Sequence, residues 1–157
     1  MVTYKLFRLK QGKLFPLYVN ANEEVKTGKW LQSKPGELKD ENHVKSRLGG
    51  LSLRSGWHST YIPFTDWIGK KMDDGSLARR KNEVWCECEV KGNEIETKIK
   101  NGYKVIPKDS YYFFKTNSKQ ENPWIISDWI YVKRILKEEE VKEICKSFGV
   151  EAQKVLV

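Results

Sequence analysis

Apolar and polar residues alternate with period two in several segments of this chain and recur at helical spacing only near its end, so strands joined by polar loops are expected. The cleanest alternation runs over Glu83–Val90: Val84, Cys86, Cys88 and Val90 fall on one face, Trp85, Glu87 and Glu89 on the other. Residues 3–9 alternate as well, with Tyr4, Leu6 and Arg8 pointing one way and Lys5, Phe7 and Leu9 the other. Gln11-Gly12 reads as a turn that returns the chain through Lys13–Val19. Pro16 has no backbone N–H, which assigns that returning strand to an edge or a bulge. Tyr111–Thr116 is a strand on propensity. Trp124–Ile126 and Trp129–Leu136 read as two strands, or as one bent strand with a bulge at Ser127-Asp128.

The helical period appears once, at Val141, Ile144, Cys145 and Phe148, and predicts a helix over Lys137–Phe148. Glu138, Glu139 and Glu140 favour the positive end of its dipole, and Gly149 supplies the stop. Short helical turns are expected within 40–48, ended by Gly49-Gly50, and over Phe64–Ile68, ended by Gly69. Asn20–Asn42 reads as a loop anchored by Trp30-Leu31, and Lys70–Asn82 as a charged loop turning at Asp73-Asp74-Gly75. The expected fold is α+β: a mostly antiparallel sheet of about seven strands, a C-terminal helix and one or two short helices. Residues 1–150 are expected to form a single domain and residues 151–157 a frayed tail.

A chain of 157 residues that is 39% hydrophobic and 12% aromatic is long and apolar enough to bury a core, despite 32% charged residues. It has no apolar run of membrane-spanning length and no apolar signal segment at its start, so a soluble, cytoplasmic protein without membrane association is expected. Its cysteines are Cys86, Cys88 and Cys145, an odd number with one i, i+2 pair, which is a poor disulfide framework. Cys86 and Cys88 read instead as small buried groups. Combined with His43 and His58 they match no zinc spacing, so no metal is expected.

Charge sharpens the picture. The net charge is +8; residues 1–80 carry 15 Lys+Arg against 8 Asp+Glu, and residues 81–157 carry 14 against 13. The front of the chain is therefore the expected face for an acidic partner, either nucleic acid or an acidic protein surface. It holds the stretch from Arg54 to Gly69, dense in aromatic and hydroxyl residues. Arg47, Arg54, Lys70 and Lys71 flank the aromatic residues Trp57, Tyr61 and Trp67. Arg79, Arg80 and Lys81 make the densest basic cluster. Such cations neutralise phosphates, and exposed aromatics stack on unpaired bases; the same aromatics would equally fill a core.

Several motifs in order resemble an uncharacterised domain of phage and mobile-element proteins of the polyvalent type, over roughly residues 3 to 145. The resemblance rests on Tyr4-Lys5-Leu6-Phe7-Arg8, Gly12-x-Leu14-x-Pro16-Leu17, Gly28-x-Trp30-Leu31, Arg54-x-Gly56-Trp57-His58, Pro63 and Ile68-Gly69. It continues through Val84-Trp85-x-Glu87, Tyr111-Tyr112-x-x-Lys115-Thr116, Trp124-Ile125-Ile126 and Val132-x-Arg134-x-Leu136. Ser59-Thr60 and Lys137 depart from its pattern. The resemblance implies a phage or mobile-element context, compatible with a host-takeover or anti-defence factor, and no particular chemistry.

An enzyme reading stands beside the binding one. ADP-ribosyltransferases place, in chain order, an arginine, a hydroxyl run and a glutamate around NAD; here these would be Arg8, His58-Ser59-Thr60 and Glu87 with Glu89. A guanidinium clamps a pyrophosphate, and a carboxylate stabilises the charge that develops as nicotinamide leaves. On the plain reading Arg8 is a surface strand residue, Glu87 and Glu89 pair with lysines, and no cofactor is bound. His58 with Ser59 or Asp66 lacks the nucleophile elbow of a hydrolase. The reading favoured by the sequence is binding of nucleic acid or an acidic protein through the basic central region. NAD-dependent ADP-ribosyl transfer is the alternative.

Overall fold

The computed structural model describes residues 1–41, 43–47, 49–52, 55–65, 68–96, 107–116, 118–120 and 122–156. Strand is the main regular structure among the described residues. The first half contributes β1 (Val2–Lys10), β2 (Lys13–Phe15), β3 (Trp30–Gln32), β4 (Leu38–Asp40), β5 (His43–Ser46), β6 (Gly49–Ser52), β7 (Trp57–Ser59), β8 (Lys70–Lys71) and β9 (Leu77–Ala78). The second half contributes β10 (Glu83–Val90), β11 (Asn93–Glu94), β12 (Ser110–Phe114), β13 (Trp124–Ser127), β14 (Trp129–Ile135) and one helix, α1 (Glu138–Ser147).

Two long alternating segments make the spine. β1 pairs with β10 antiparallel over seven residue pairs, from Val2↔Glu89 to Arg8↔Glu83. β2 is added at one edge through the Gln11-Gly12 turn, both of whose residues have positive φ (52 and 75°), the mirror-image turn that matches strand twist. β14 and then β3 are added at the other edge, giving the order β2-β1-β10-β14-β3. A second sheet runs β11-β12-β13-β7, antiparallel except for its β11–β12 pair. β4-β5-β6 and β8-β9 form two smaller sheets.

The two large sheets are one continuous surface. β13 passes into β14 at Asp128, where the expected bend lies. Just past β7, Thr60 exchanges both backbone hydrogen bonds with Tyr4 of β1, at 2.6 and 2.8 Å. The ladders β1–β10–β14, then β13–β7 and back to β1, thus close on themselves as a small barrel. Phe7, Cys86, Cys88, Ile125, Ile130 and Val132 fill it, all fully buried. Each large side chain there contributes on the order of 1.5–3 kcal/mol of burial. α1 lies against the outer face of β1 and β10, burying Leu6, Trp85, Leu136, Val141 and Cys145. The Glu140 side chain accepts the Lys137 N–H at 3.1 Å and so caps the helix start.

The structure corrects three expectations. Helical turns were expected within 40–48; the described residues of that span belong to the β4–β6 meander instead. Val44 and Leu48 gave that stretch the i, i+4 spacing of a helix, but Val44 is buried instead at the centre of strand β5, paired with Leu38 and Leu51. Among the described residues of 64–68 there is no helix: the Phe64 and Thr65 carbonyls, which a helix would bond to the residues four further on, accept instead from Asn122 Nδ2 (3.0 Å) and Gln153 Nε2 (2.7 Å). The C-terminal tail, expected to fray, is tied alongside Arg79. Arg79 N–H donates to Lys154 O, and Leu156 N–H donates to Arg79 O, both at 2.8 Å.

Candidate functional site

A cavity of about 500 Å³ opens beside β1 where two ladders stop short. Tyr4 bonds Thr60 on that edge, and β2 resumes pairing only at Arg8. Between them the peptide edge of Leu6 faces the space. β2 ends at Phe15, and Pro16 follows it directly on the cavity wall. A volume of this size matches sites that enclose small ligands.

Lys5 stands on the cavity wall. Strand alternation turns it toward the barrel interior with Thr3 and Phe7, opposite Cys86 in the β1–β10 register. Its ammonium donates to His58 O at 2.8 Å and lies 5.5 and 6.0 Å from the ring centres of Phe7 and Trp57. Burial pulls its pKa down from 10.5 to about 8. The two neighbouring thiols offer no counter-charge, because burial pushes Cys86 up to about 12 and Cys88 higher still.

The central stretch supplies the opposite wall. Gly56 has φ +122°, and a Cβ there would meet Ile126 Cγ2 at 2.7 Å, so the chain presses onto β13 at a point only glycine allows. That contact delivers Trp57 and His58 to the cavity. The Trp57 indole N–H donates to Leu31 O at 3.1 Å, and the His58 ring meets Trp124 edge-on at 5.9 Å. Tyr4 and Tyr18 add phenols whose pKa values burial raises. Gln32 and Ser33 complete one side, held by the buried Asp128 carboxylate, which accepts from Gln32 Nε2 (3.2 Å), Ser33 Oγ (3.1 Å) and the Asp109 N–H (2.8 Å).

Of the residues singled out in the sequence, Trp57 and His58 reach this cavity. Arg8 and Glu87 do not line it. Arg8 lies on the outer side of β1, donating to Pro16 O at 3.1 Å and to Ala21 O. Glu87 pairs with Lys133 and Arg134 on the outer face of β10. Ser59 is fully buried, and Thr60 is committed to the barrel seam. The clamp, hydroxyl run and carboxylate of an NAD site therefore do not converge.

The basic residues also divide. Arg79 is buried and serves the fold. Its guanidinium donates to Glu83 O and pairs with the Glu138 carboxylate at the start of α1. Arg47 donates from its guanidinium to Leu17 O at 2.7 Å. Lys70, Lys71, Arg80 and Lys81 are exposed, and Tyr61 is 37% exposed. Arg54, Asp66 and Trp67 lie outside the described residues. Lys5, Tyr4 and Trp124 are cavity residues that sequence reasoning passed over. The usable signal was a lysine sharing a strand face with Phe7 and Leu9.

Among the described residues no cluster of three or more His, Cys, Asp or Glu is placed to hold a metal, and no helix is long and apolar enough to cross a membrane. Compared with protein-family models, curated proteins and solved structures, the chain finds no match.

Proposed function

We propose that this protein binds a small anionic ligand with a planar ring, of the mononucleotide class, in the cavity beside β1. The observation that carries this reading is Lys5. Among the described residues its ammonium takes part in no ion pair; it has one carbonyl partner and a cavity in front of it. A half-buried cation without a carboxylate is costly, and an incoming phosphate or carboxylate would offset that cost. The indole of Trp57 and the Trp124–His58 pair give the ligand's ring flat apolar surface beside the charge. The test is thermal stabilisation and calorimetry with nucleoside monophosphates and with inorganic phosphate, on the native chain and on Lys5→Met. Micromolar binding by the native chain that Lys5→Met abolishes supports the reading. Equal responses from the two proteins, or none from either, refute it.

A second reading retains the basic exterior as a docking face for nucleic acid, in the phage or mobile-element setting that the motif resemblance implies. Exposed Lys70, Lys71, Arg80 and Lys81, contributed by β8 and the turn into β10, favour it. Phosphate contacts of this kind weaken steeply with salt. Retention of a single-stranded oligonucleotide at low salt, lost when these four residues become alanine, supports it; retention unchanged by the replacement refutes it.

A further inference from the structure

The β14–β3 edge, whose Leu31 and Gln32 reach the cavity wall, carries a second concentration of aromatic rings. Trp30 lies directly opposite Tyr131 in the β14–β3 register, their ring centres 5.5 Å apart and their planes inclined at 59°. Trp129, two residues before Tyr131, shares that outward face. All three rings are half-buried, so each keeps a reachable surface. Lys91, the first residue after β10, places its Nζ 4.4 Å from the Trp30 ring centre and 4.7 Å from that of Trp129.

The position of this lysine is set by the backbone. Gly92 follows with φ +100°, packed so tightly on Asp109 that a Cβ would overlap the Asp109 carbonyl. Asp109 in turn accepts the Trp129 indole N–H at 2.9 Å, which fixes the ring and puts a carboxylate at the rim. Two indole faces within 5 Å of one cation, a phenol beside them and a carboxylate at the edge make an environment matched to an alkylammonium ion. Such rings attract a diffuse methylated cation without requiring hydrogen bonds from it. A primary ammonium gives up hydration to enter.

We propose that Trp30, Trp129 and Tyr131 form an aromatic cage for a quaternary methylammonium group, and that Lys91 occupies it in the free protein. The ligand class is the trimethylammonium head, borne by choline or by a trimethylated lysine side chain. Lys91 acts as an internal competitor on a flexible stem, exposed and able to swing out. Binding by the native chain is therefore weakened by the fraction of time that the cage is filled.

The test titrates choline and Nε-trimethyl-lysine into the native chain, Lys91→Ala and Lys91→Ala/Trp30→Ala. The indole N–H resonances of Trp30 and Trp129 are followed at constant ionic strength, with sodium chloride as the control. Lys91→Ala is expected to bind at least one of the two probes about tenfold more tightly than the native chain, and the double variant to lose that binding. A preference for one probe identifies its source as small molecule or modified protein. The proposal is overturned if Lys91→Ala responds to both probes as it does to sodium. It is also overturned if the response survives loss of Trp30 in a double variant whose backbone resonances remain native. Trp129→Phe keeps a flat ring and serves as a milder second variant: it should retain weakened binding, and unchanged affinity would remove Trp129 from the cage. Neither result depends on Lys5 or the cavity ligand.

Discussion

Two cations in this protein, the buried Arg79 and the half-buried Lys5, have opposite surroundings. Arg79 joins four parts of the chain: β9, the start of β10, the first turn of α1 and the C-terminal tail. Its guanidinium meets a carboxylate and a carbonyl, and its backbone bonds the tail on both sides. Lys5 meets one carbonyl and otherwise faces aromatic rings, neutral thiols and an open cavity. A guanidinium so fully engaged holds the fold together. A half-buried ammonium facing open space without a carboxylate lowers stability, and a chain tolerates it where something else completes the pairing.

The contrast can be broken most directly at Arg79. Arg79→Leu leaves Glu83 O buried without its donor and Glu138 without its counter-ion, and is expected to cost about 3 kcal/mol. That corresponds to a fall in melting temperature of roughly 6–12 °C for a chain of this size, read by calorimetry. A cost below about 1 kcal/mol would show that Arg79 is no clamp. Lys5→Met should have the opposite sign and a somewhat smaller size, raising stability near pH 7 by about 2 kcal/mol.

Its pH dependence sharpens the point. The Lys5 pKa falls from 10.5 unfolded to about 8 folded, so between these values the unfolded chain binds more protons and native stability rises with pH. Urea titrations from pH 7 to 10.5 should show this rise in the native chain and its absence in Lys5→Met. Anion binding should run the other way, weakening above about pH 8 as the ammonium loses its proton. A rise of equal size in the variant would place the titration elsewhere.

Asp128→Ala comes next. It removes the acceptor for Gln32, Ser33 and the Asp109 N–H, so a cost of about 1–2 kcal/mol is expected, with weaker ligand binding because that wall of the cavity loosens. Stability lost without any change in affinity would separate the bend from the site. Smallest of all, Lys70→Ala, Lys71→Ala and Lys81→Ala should each stay within about 0.5 kcal/mol of the native chain in urea unfolding. Their side chains are exposed and outside the clamp.

How much of this was legible in the residues differs by element. Alternation located β10 at its observed bounds, and the apolar stripe located α1 to within a residue at each end, because both signals are local. Alternation also turned Lys5 inward. What Lys5 meets there is set by Tyr4–Thr60 pairing across 56 residues of chain, which no local pattern encodes. The same limit hid the difference between Arg79 and Arg80. They are adjacent in the basic cluster, yet the first is buried against α1 and the second stands in solvent. The β4–β6 meander was missed because one buried valine is too little signal for a strand.

The absent rung at Leu6 makes its amide a natural clock. Among the described residues that N–H points toward the cavity with no ladder partner, whereas those of Tyr4 and Arg8 on the same edge are engaged. Its proton should trade with deuterated water much sooner than theirs in the empty protein, and slow markedly once the cavity is filled, reporting occupancy without a label.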